Sequence, residues 1–140
     1  MNENLNLPKN IFFIGIGGIH MSAIAKLLSQ RGHKIFGTDT NRSKIIEHLE
    51  SIGIKIYSKH EQKNVEDAEL VIFSSAIDQN NPEIIFAQKN NIPLLSRSQI
   101  LNILCHEKDT VAISGSHGKT TITSLLGFIL IKAKYEPLIM

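Results

Sequence analysis

The sequence predicts an α/β fold: a Rossmann-like, doubly wound, mostly parallel sheet, followed by one further strand–helix unit. Short apolar runs alternate with longer amphipathic segments along the chain, which is the pattern of repeated β-α-β units. Two glycine-rich loops, at residues 15–20 and 115–121, each lie between an apolar run and a helical segment. Loops at this place in an α/β fold bind phosphate groups.

The first half of the chain contains three predicted strands and two helices. Residues 11–16 are almost continuously apolar, as expected of a strand that is covered on both faces. Residues 19–31 carry apolar side chains at helical spacing, and Gly32 ends this helix. The same patterns then predict a strand at 34–38, a helix at 43–52 and a short strand at 54–57.

The second half begins with a predicted helical turn at 65–68 and a fourth strand at 70–74. Pro82 suits the first turn of the next helix, which runs to about residue 89. Pro93 lies within the fifth strand, 92–95, and therefore predicts an edge strand. Ser96 and Gln99 have the spacing of a capping box, which opens a helix to about residue 105. A sixth strand is predicted at 110–113, and the last helix runs from about 119 to 134.

A polar stretch at 106–109 predicts a domain boundary. Residues 1–106 form the first predicted domain, and residues 107–140 form the start of a second. Because one strand and one helix cannot bury their own apolar faces, we expect this second domain to be truncated or to pack on the first. The last helix would then expose a set of apolar side chains and could self-associate through them; they are Ile122, Leu125, Leu126, Ile129 and Leu130.

Composition narrows the class of protein. The net charge of the 140-residue chain is only +2, and its positive residues are scattered, which argues against a nucleic-acid partner. The single cysteine, Cys105, fits a reducing compartment, and the six histidines lack paired metal-ligand spacing. The polar N-terminus contains Glu3 and does not resemble a signal peptide, and no apolar run is long enough to cross a membrane. These features predict a soluble cytoplasmic protein without a membrane partner.

The second glycine loop is the most specific motif. It consists of Gly115, Ser116, His117, Gly118, Lys119, Thr120 and Thr121. We expect its N–H groups and the following helix N-terminus to hold a nucleoside triphosphate, with Lys119 at the terminal phosphates and Thr120 as a Mg²⁺ ligand. A standard Walker A loop would have glycine where Ile113 lies. The plainer alternative is a glycine turn with a solvated lysine.

The first glycine loop has two interpretations. Gly15, Gly17 and Gly18 resemble a dinucleotide fingerprint, but His20 replaces its third glycine, which is expected to widen the strand–helix contact or to crowd the ligand. Asp39 ends the second strand, where the carboxylate of NAD-binding proteins meets a ribose hydroxyl. A tight turn with a capping aspartate explains the same residues equally well. The pyrophosphate of some nucleotide is the best prediction for a ligand.

The sequence resembles the Mur ligase family. The residues that carry the resemblance are collinear: the run from Phe13 to Ala25, Gly37-Thr38-Asp39, Ser74-Ser75-Ala76-Ile77, Asn81-Pro82-Glu83, Ile92-Pro93, Arg97, Leu101 and Gly115 to Thr121. The resemblance implies that the first domain binds the UDP part of UDP-N-acetylmuramate, and that the second domain binds ATP and Mg²⁺. It implies an ATP-dependent acid–amino-acid ligase of peptidoglycan synthesis that attaches L-alanine.

The resemblance also assigns roles to individual residues. It implies that the backbone of Gly15, Gly17 and Gly18 approaches the substrate diphosphate, and that Arg97 pairs with a phosphate or carboxylate. Four residues would line the uridine and sugar pocket: Asp39, His60, Ser74 and Ser75. His60 and Arg97 are equally explained as surface residues, and the two serines as a strand end.

Three functions follow from these observations. The first is the N-terminal part of a Mur ligase, inactive alone because the L-alanine site, the metal-ligating acids and the rest of the ATP site lie outside the chain. The second is a stand-alone module that binds a UDP-sugar or nucleotide without catalysis. The third is a small NAD-binding oxidoreductase domain, although a dehydrogenase has no use for the loop at 115–121.

Overall fold

The chain divides into two compact units, Met1–Glu107 and Lys108–Met140, here called unit 1 and unit 2. A computed structural model describes residues 7–107, 109–137 and 139. The boundary between the units lies within the polar stretch at residues 106–109.

Unit 1 is built on a five-stranded sheet with the order β3-β2-β1-β4-β5. The strands are β1 (Asn10–Ile14), β2 (Lys34–Thr38), β3 (Lys55–Tyr57), β4 (Leu70–Phe73) and β5 (Leu94–Ser96). Every neighbouring pair is parallel. The predicted doubly wound α/β fold is confirmed, and β5 lies at an edge of the sheet as predicted. The predicted bounds of 92–95 are wrong, because Pro93 precedes the strand and is not part of it.

Local signals in the sequence explain where the helices of unit 1 begin. The helices are α1 (Ile19–Gln30), α2 (Lys44–Ser51), α3 (Pro82–Lys89) and α4 (Arg97–His106), with a 3₁₀ turn at Gln62–Val65. Side chains of Ser43 and Asn81 cap α2 and α3, and Ser96 with Gln99 forms the predicted capping box of α4. The helical turn predicted at 65–68 is present: directly after the 3₁₀ turn, the N–H group of Ala68 donates to the carbonyl oxygen of Val65 at 3.0 Å.

The helices cover both faces of the sheet. Apolar residues of α1, α2 and α4 pack on one face, around Phe13 and Ile72. The 3₁₀ turn and α3 pack on the other face, around Phe12 and Val71. Right-handed crossovers that run in opposite directions from the centre of a sheet place their helices on opposite faces. The direction reverses between β1 and β4, so a switch point lies at the carboxyl ends of these two strands.

Unit 2 contains one helix, α5 (Lys119–Lys132), among its described residues. The strand predicted at 110–113 is wrong: no strand is formed between residues 109 and 118. A strand requires a hydrogen-bonded neighbour, and the described part of unit 2 offers no second extended segment to pair with it. Within the described ranges, no helix of the chain is long and apolar enough to cross a membrane.

Candidate functional site

The first glycine loop lies at the switch point of the sheet. Gly15 directly follows β1, and a Cβ atom placed on it would lie 3.3 Å from Cβ of Ser74, which directly follows β4. Gly15 also has a φ of +76°, a conformation that side chains disfavour. This turn explains why β1 ends at Ile14 and not at the predicted residue 16. The crevice at this edge is where doubly wound sheets bind ligands.

Hydrogen bonds to the end of β2 fix the shape of this loop. The N–H groups of Gly15 and Ile16 donate to the carbonyl oxygen of Thr38 at 2.8 and 3.2 Å. The N–H group of Gly17 donates to Oδ2 of Asp39 at 2.8 Å. The amides of Gly15 and Gly17 are therefore already engaged within the chain. The glycines shape the loop, and the donors left for a ligand come from elsewhere.

Those donors lie in the first turn of α1. Gly18 is its N-cap and has no side chain to satisfy the first-turn amides, which in any helix lack an intrahelical acceptor. Within the described residues, the N–H groups of Ile19, His20 and Met21 donate no hydrogen bond. A Cβ atom on Gly18 would meet nothing closer than 3.7 Å, so packing within the chain does not require glycine there. The open space and the free amides suit an anion.

Asp39 holds the loop through hydrogen bonds to its backbone, as the interpretation as a tight turn with a capping aspartate predicts. Its Oδ2 accepts from Gly17, and its Oδ1 accepts from the N–H group of Asn41 at 2.9 Å. A Cβ atom on Gly17 would lie only 2.7 Å from Oδ2, so glycine is needed there for this contact. Both oxygens of the carboxylate thus have backbone partners. This arrangement favours the tight-turn interpretation over a free ribose-binding carboxylate.

His20 does not widen the contact between the first strand and the first helix. Its side chain is exposed, whereas the next residue, Met21, is buried against the sheet face. The expected widening is therefore wrong, because the helix turns position 20 towards solvent. Close backbone approach occurs instead at Gly37, where a Cβ atom would collide with the carbonyl oxygen of Phe13. Whether His20 crowds a bound ligand stays a prediction.

His60 contacts a buried carboxyl group to which the sequence assigned no role. His60 follows β3, and its Nδ1 lies 2.7 Å from Oε2 of Glu83, whose side chain is completely buried in the first turn of α3. Oε1 of Glu83 accepts from Oγ1 of Thr38 at 2.5 Å and from Nδ2 of Asn64 at 2.9 Å. We call Glu83, His60, Thr38 and Asn64 the Glu83 network. The sequence singled out Glu83 only as part of the Asn81-Pro82-Glu83 motif and gave it no role, because an acidic residue just after a helix cap is ordinary.

Ser75 and Arg97 lie at the same edge of the sheet but do not join these contacts. Ser75 is exposed in the turn after β4, and Arg97 is the half-buried first residue of α4, directly after β5. In the described part of the chain, the Arg97 guanidinium has no hydrogen bond or ion pair. Their roles in ligand binding stay predictions.

The second glycine loop ends in an uncapped helix N-terminus of the same kind. Gly118 is the N-cap of α5 with a φ of +78°, and it has no side chain to cap the helix. Nζ of Lys119 folds back to the carbonyl oxygen of Gly115 at 2.5 Å, and Nδ1 of His117 lies 3.2 Å from Oγ of Ser116. Thr120 and Thr121 are exposed in the first turn. The first-turn amides and three hydroxyl side chains suit a phosphate group.

A comparison with known families supports the resemblance in the sequence. The profile of the Mur ligase family, catalytic domain, matches residues 10–109. The chain belongs to the Mur ligase family.

Named relatives extend this assignment. The chain is 47% identical over 133 residues to a UDP-N-acetylmuramate–L-alanine ligase of Clostridium botulinum, covering 94% of this chain and 29% of the relative. It is 46% identical over 132 residues to the enzyme of that name from Aquifex aeolicus, with the same coverage of 94% and 29%. The chain thus spans less than a third of the length of these relatives.

Solved structures of the family share the fold. A UDP-N-acetylmuramate–alanine ligase of Thermotoga maritima matches with a TM-score of 0.82 and 33% identity, over 89% of this chain and 30% of the other. A murein peptide ligase of Psychrobacter arcticus matches with a TM-score of 0.84 and 27% identity, over 91% and 27%. The likeness covers about nine-tenths of this Mur ligase chain.

Proposed function

We propose that this chain supplies the UDP-substrate site and the phosphate loop of an ATP-dependent ligase that joins L-alanine to UDP-N-acetylmuramate in peptidoglycan synthesis. The names of its relatives support the reaction and substrates. The observation that carries the proposal is the glycine loop at the switch point, which presents the uncapped N-terminus of α1. The complete reaction belongs to a protein of the length of those relatives.

In unit 1, the substrate diphosphate would lie against the first turn of α1, over Gly18. The amides of Ile19 and His20 would donate to it, because Gly15 and Gly17 already use theirs to hold the loop. The nucleoside and sugar would extend along the carboxyl edge of the sheet, past Ser74, Ser75 and His60. Arg97, whose guanidinium has no partner among the described residues, would pair with a phosphate or carboxylate.

In unit 2, ATP and Mg²⁺ would be held by the loop from Gly115 to Thr121. Lys119 would leave the carbonyl of Gly115 to reach a phosphate oxygen, and Thr120 would turn its exposed hydroxyl towards Mg²⁺. When bound, ATP supplies the phosphoryl group that activates a carboxylate for attack by an amine. We place the protein in the cytoplasm, because both proposed nucleotides are found there.

Thermal unfolding in the presence of nucleotides tests the proposal for unit 1. UDP-N-acetylmuramate and UDP should raise the melting temperature more than NAD does at equal concentration. A ligand at 100 times its dissociation constant adds about 2.7 kcal/mol to the free energy of unfolding, which is a measurable shift. A larger shift with NAD would overturn the assignment, and the engaged carboxylate of Asp39 argues against that result.

Binding of ATP tests the proposal for unit 2. A fluorescent ATP analogue with Mg²⁺ should bind the chain, and Lys119→Ala should weaken its binding by about tenfold or more, because a charge-assisted contact to phosphate is lost. Lys132→Ala, at the other end of α5, is the matched control and should bind as the unchanged chain does. Equal binding by the Lys119 and Lys132 variants would contradict a phosphate-binding role for the loop.

A further inference from the structure

The Glu83 network raises the question of why a carboxyl group is completely buried beside the candidate site. Burial of a carboxyl group is costly unless its oxygens are hydrogen-bonded. Here both oxygens are engaged: Oε1 accepts from Thr38 and Asn64, and Oε2 contacts His60. No buried side-chain polar atom among the described residues lacks a partner. Both carboxyl oxygens of Glu83 therefore have their hydrogen-bond partners within the chain.

We propose that Glu83 is a positioning residue that fixes the proton of His60 on Nδ1 and presents its Nε2 as a hydrogen-bond acceptor to the bound nucleotide. This inference rests on the proposed function and deepens it. A carboxylate oxygen can only accept, so the ring nitrogen that it contacts must be the donor. In a neutral imidazole the other nitrogen is then an acceptor. Its ligand partner is a donor, such as a nucleoside hydroxyl or imide N–H.

The position of His60 fits this role. It follows β3 at the carboxyl edge of the sheet, where Thr38 and Ile14 lie in register with Tyr57. Its side chain is 22% exposed, whereas that of Glu83 is 0% exposed. In the described residues, Nε2 of His60 has no hydrogen bond. Nδ1 thus bonds to the buried Glu83, and Nε2 is available to a ligand.

The network also connects His60 to the glycine loop. The hydroxyl of Thr38 donates to Glu83, and its carbonyl oxygen accepts from the amides of Gly15 and Ile16. Asn64 additionally donates to the carbonyl oxygen of Lys59, the residue before His60. The same buried carboxyl group therefore fixes both the histidine and the strand end that holds the loop.

Glu83→Gln is the variant that separates positioning from packing. The glutamine oxygen should face Thr38 and Asn64, because both of them donate. Its NH₂ group must then donate to Nδ1 of His60, which moves the imidazole proton to Nε2. Every contact is kept and the shape is unchanged, but Nε2 becomes a donor. We expect little change in melting temperature and about a tenfold loss of affinity for UDP.

Nitrogen NMR of the histidine rings in the full chain gives the first test and needs no ligand. His60 should carry its proton on Nδ1, and on Nε2 after Glu83→Gln. His33 is an internal reference, because its Nδ1 contacts the carbonyl oxygen of Pro8 at 2.9 Å and must also be a donor. A wild-type His60 protonated on Nε2, or a tautomer unmoved by Glu83→Gln, would overturn the inference. The wild-type measurement decides even where the variant does not fold.

Calorimetric titration with UDP gives the second test. Glu83→Gln should lower the affinity in the wild-type background and have no effect in a His60→Ala background, because it acts through that ring. Glu69→Gln is the control for the acid-to-amide change, since Glu69 accepts from the Asn10 amide at the opposite end of the sheet. An equal loss with and without His60 would show a structural role only and overturn the inference. Failure of the wild-type chain to bind UDP would instead overturn the proposed function.

Discussion

Both glycine loops end at a helix N-terminus without a side-chain cap, but different hydrogen bonds hold the two loops in place. Each leads into a helix whose N-cap is glycine and whose first turn has no side-chain cap. In unit 1, the backbone of the loop is tied to Thr38 and Asp39 at the end of β2. In unit 2, the bonds found among the described residues join the loop to itself, as between Lys119 and Gly115. The first loop is thus held by the end of a neighbouring strand, and the second by bonds among its own described residues.

The helices that follow the two loops differ in how far their apolar side chains are buried. Helix α1 buries Met21, Ile24, Ala25 and Leu28 against the sheet. Helix α5 has a strongly apolar sequence, yet Gly127 is its only buried residue in the part of the chain that the structure describes. The exposed apolar side chains of α5 include Ile122, Leu125 and Ile129, as the sequence predicts, whereas Leu126 and Leu130 are half-buried. Amphipathic pattern and burial agree in unit 1, whereas the described residues of unit 2 leave most of an apolar helix uncovered.

The largest expected effect comes from making the same substitution in each unit. Phe12 is completely buried in β1, whereas Phe128 of α5 is 59% exposed. Phe12→Ala should lower the free energy of unfolding by about 4 kcal/mol, because it opens a cavity in the core. Phe128→Ala should change it by less than about 0.5 kcal/mol. Urea unfolding followed by circular dichroism measures both, and similar values would break the contrast between the units.

A pair of glycines should give the next largest effect. Gly37→Ala drives a methyl group into the carbonyl oxygen of Phe13 in the neighbouring central strand, and we expect a loss of about 3 kcal/mol. Gly18→Ala, where the nearest atom lies 3.7 Å away, should cost less than about 1 kcal/mol, which is the preference of a helix N-cap for glycine over alanine. The same Gly18 variant should weaken UDP binding, because the added methyl group occupies the proposed diphosphate space. Unfolding curves and calorimetry separate the two outcomes, and a UDP affinity untouched by Gly18→Ala would remove that position from the site.

Asp39→Asn tests how far the strand end holds the first loop. The amide retains one acceptor oxygen, so the bond to Gly17 or the bond to Asn41 is lost. We expect a destabilisation of about 1.5 kcal/mol. Asp78→Asn is matched to it, since Asp78 accepts from the amide of Asn80 in an exposed turn, and it should cost less than about 0.5 kcal/mol. Equal costs would mean that the tie to Asp39 contributes nothing special to unit 1.

The smallest effect concerns an exposed ion pair of unit 1. Lys63 lies 2.6 Å from Oε2 of Glu61, and its hydrogen bond and charge lower the pKa of Glu61 from the ordinary value of 4.5. A lowered carboxyl pKa adds stability above the unfolded pKa, and this is lost as the pH falls through the folded value. Lys63→Met should raise the pKa of Glu61 in an NMR titration. Because both side chains are on the surface, unfolding should not change measurably, in contrast to the packing variants.

The pH dependence of the folding stability tests whether the ion pair of Glu61 and Lys63 contributes to it. The folded and unfolded chains should differ in proton uptake by Glu61 only between the lowered pKa and 4.5. A stability difference between wild type and Lys63→Met that persists unchanged at neutral and at strongly acidic pH would have to come from packing of the Lys63 stem.

The sequence by itself determined most of the elements of unit 1. The bounds of β2 and the extent of α3 from Pro82 are predicted without error, and so are the capping box of Ser96 and the edge position of β5. These features depend on periodicity, caps and proline chemistry, which act within a few residues. The glycine loops were found for the same reason, because their spacing is local.

Only the tertiary structure decided which residues of different elements contact one another. Thr38 and Glu83 are 45 positions apart in sequence, and Gly17 and Asp39 are 22 apart. Their contacts exist because parallel strands bring their carboxyl ends to one edge, which no local pattern specifies. The strand predicted at 110–113 failed for the complementary reason. An apolar run becomes a strand only when another strand completes its hydrogen bonds, and that partner is a property of the fold.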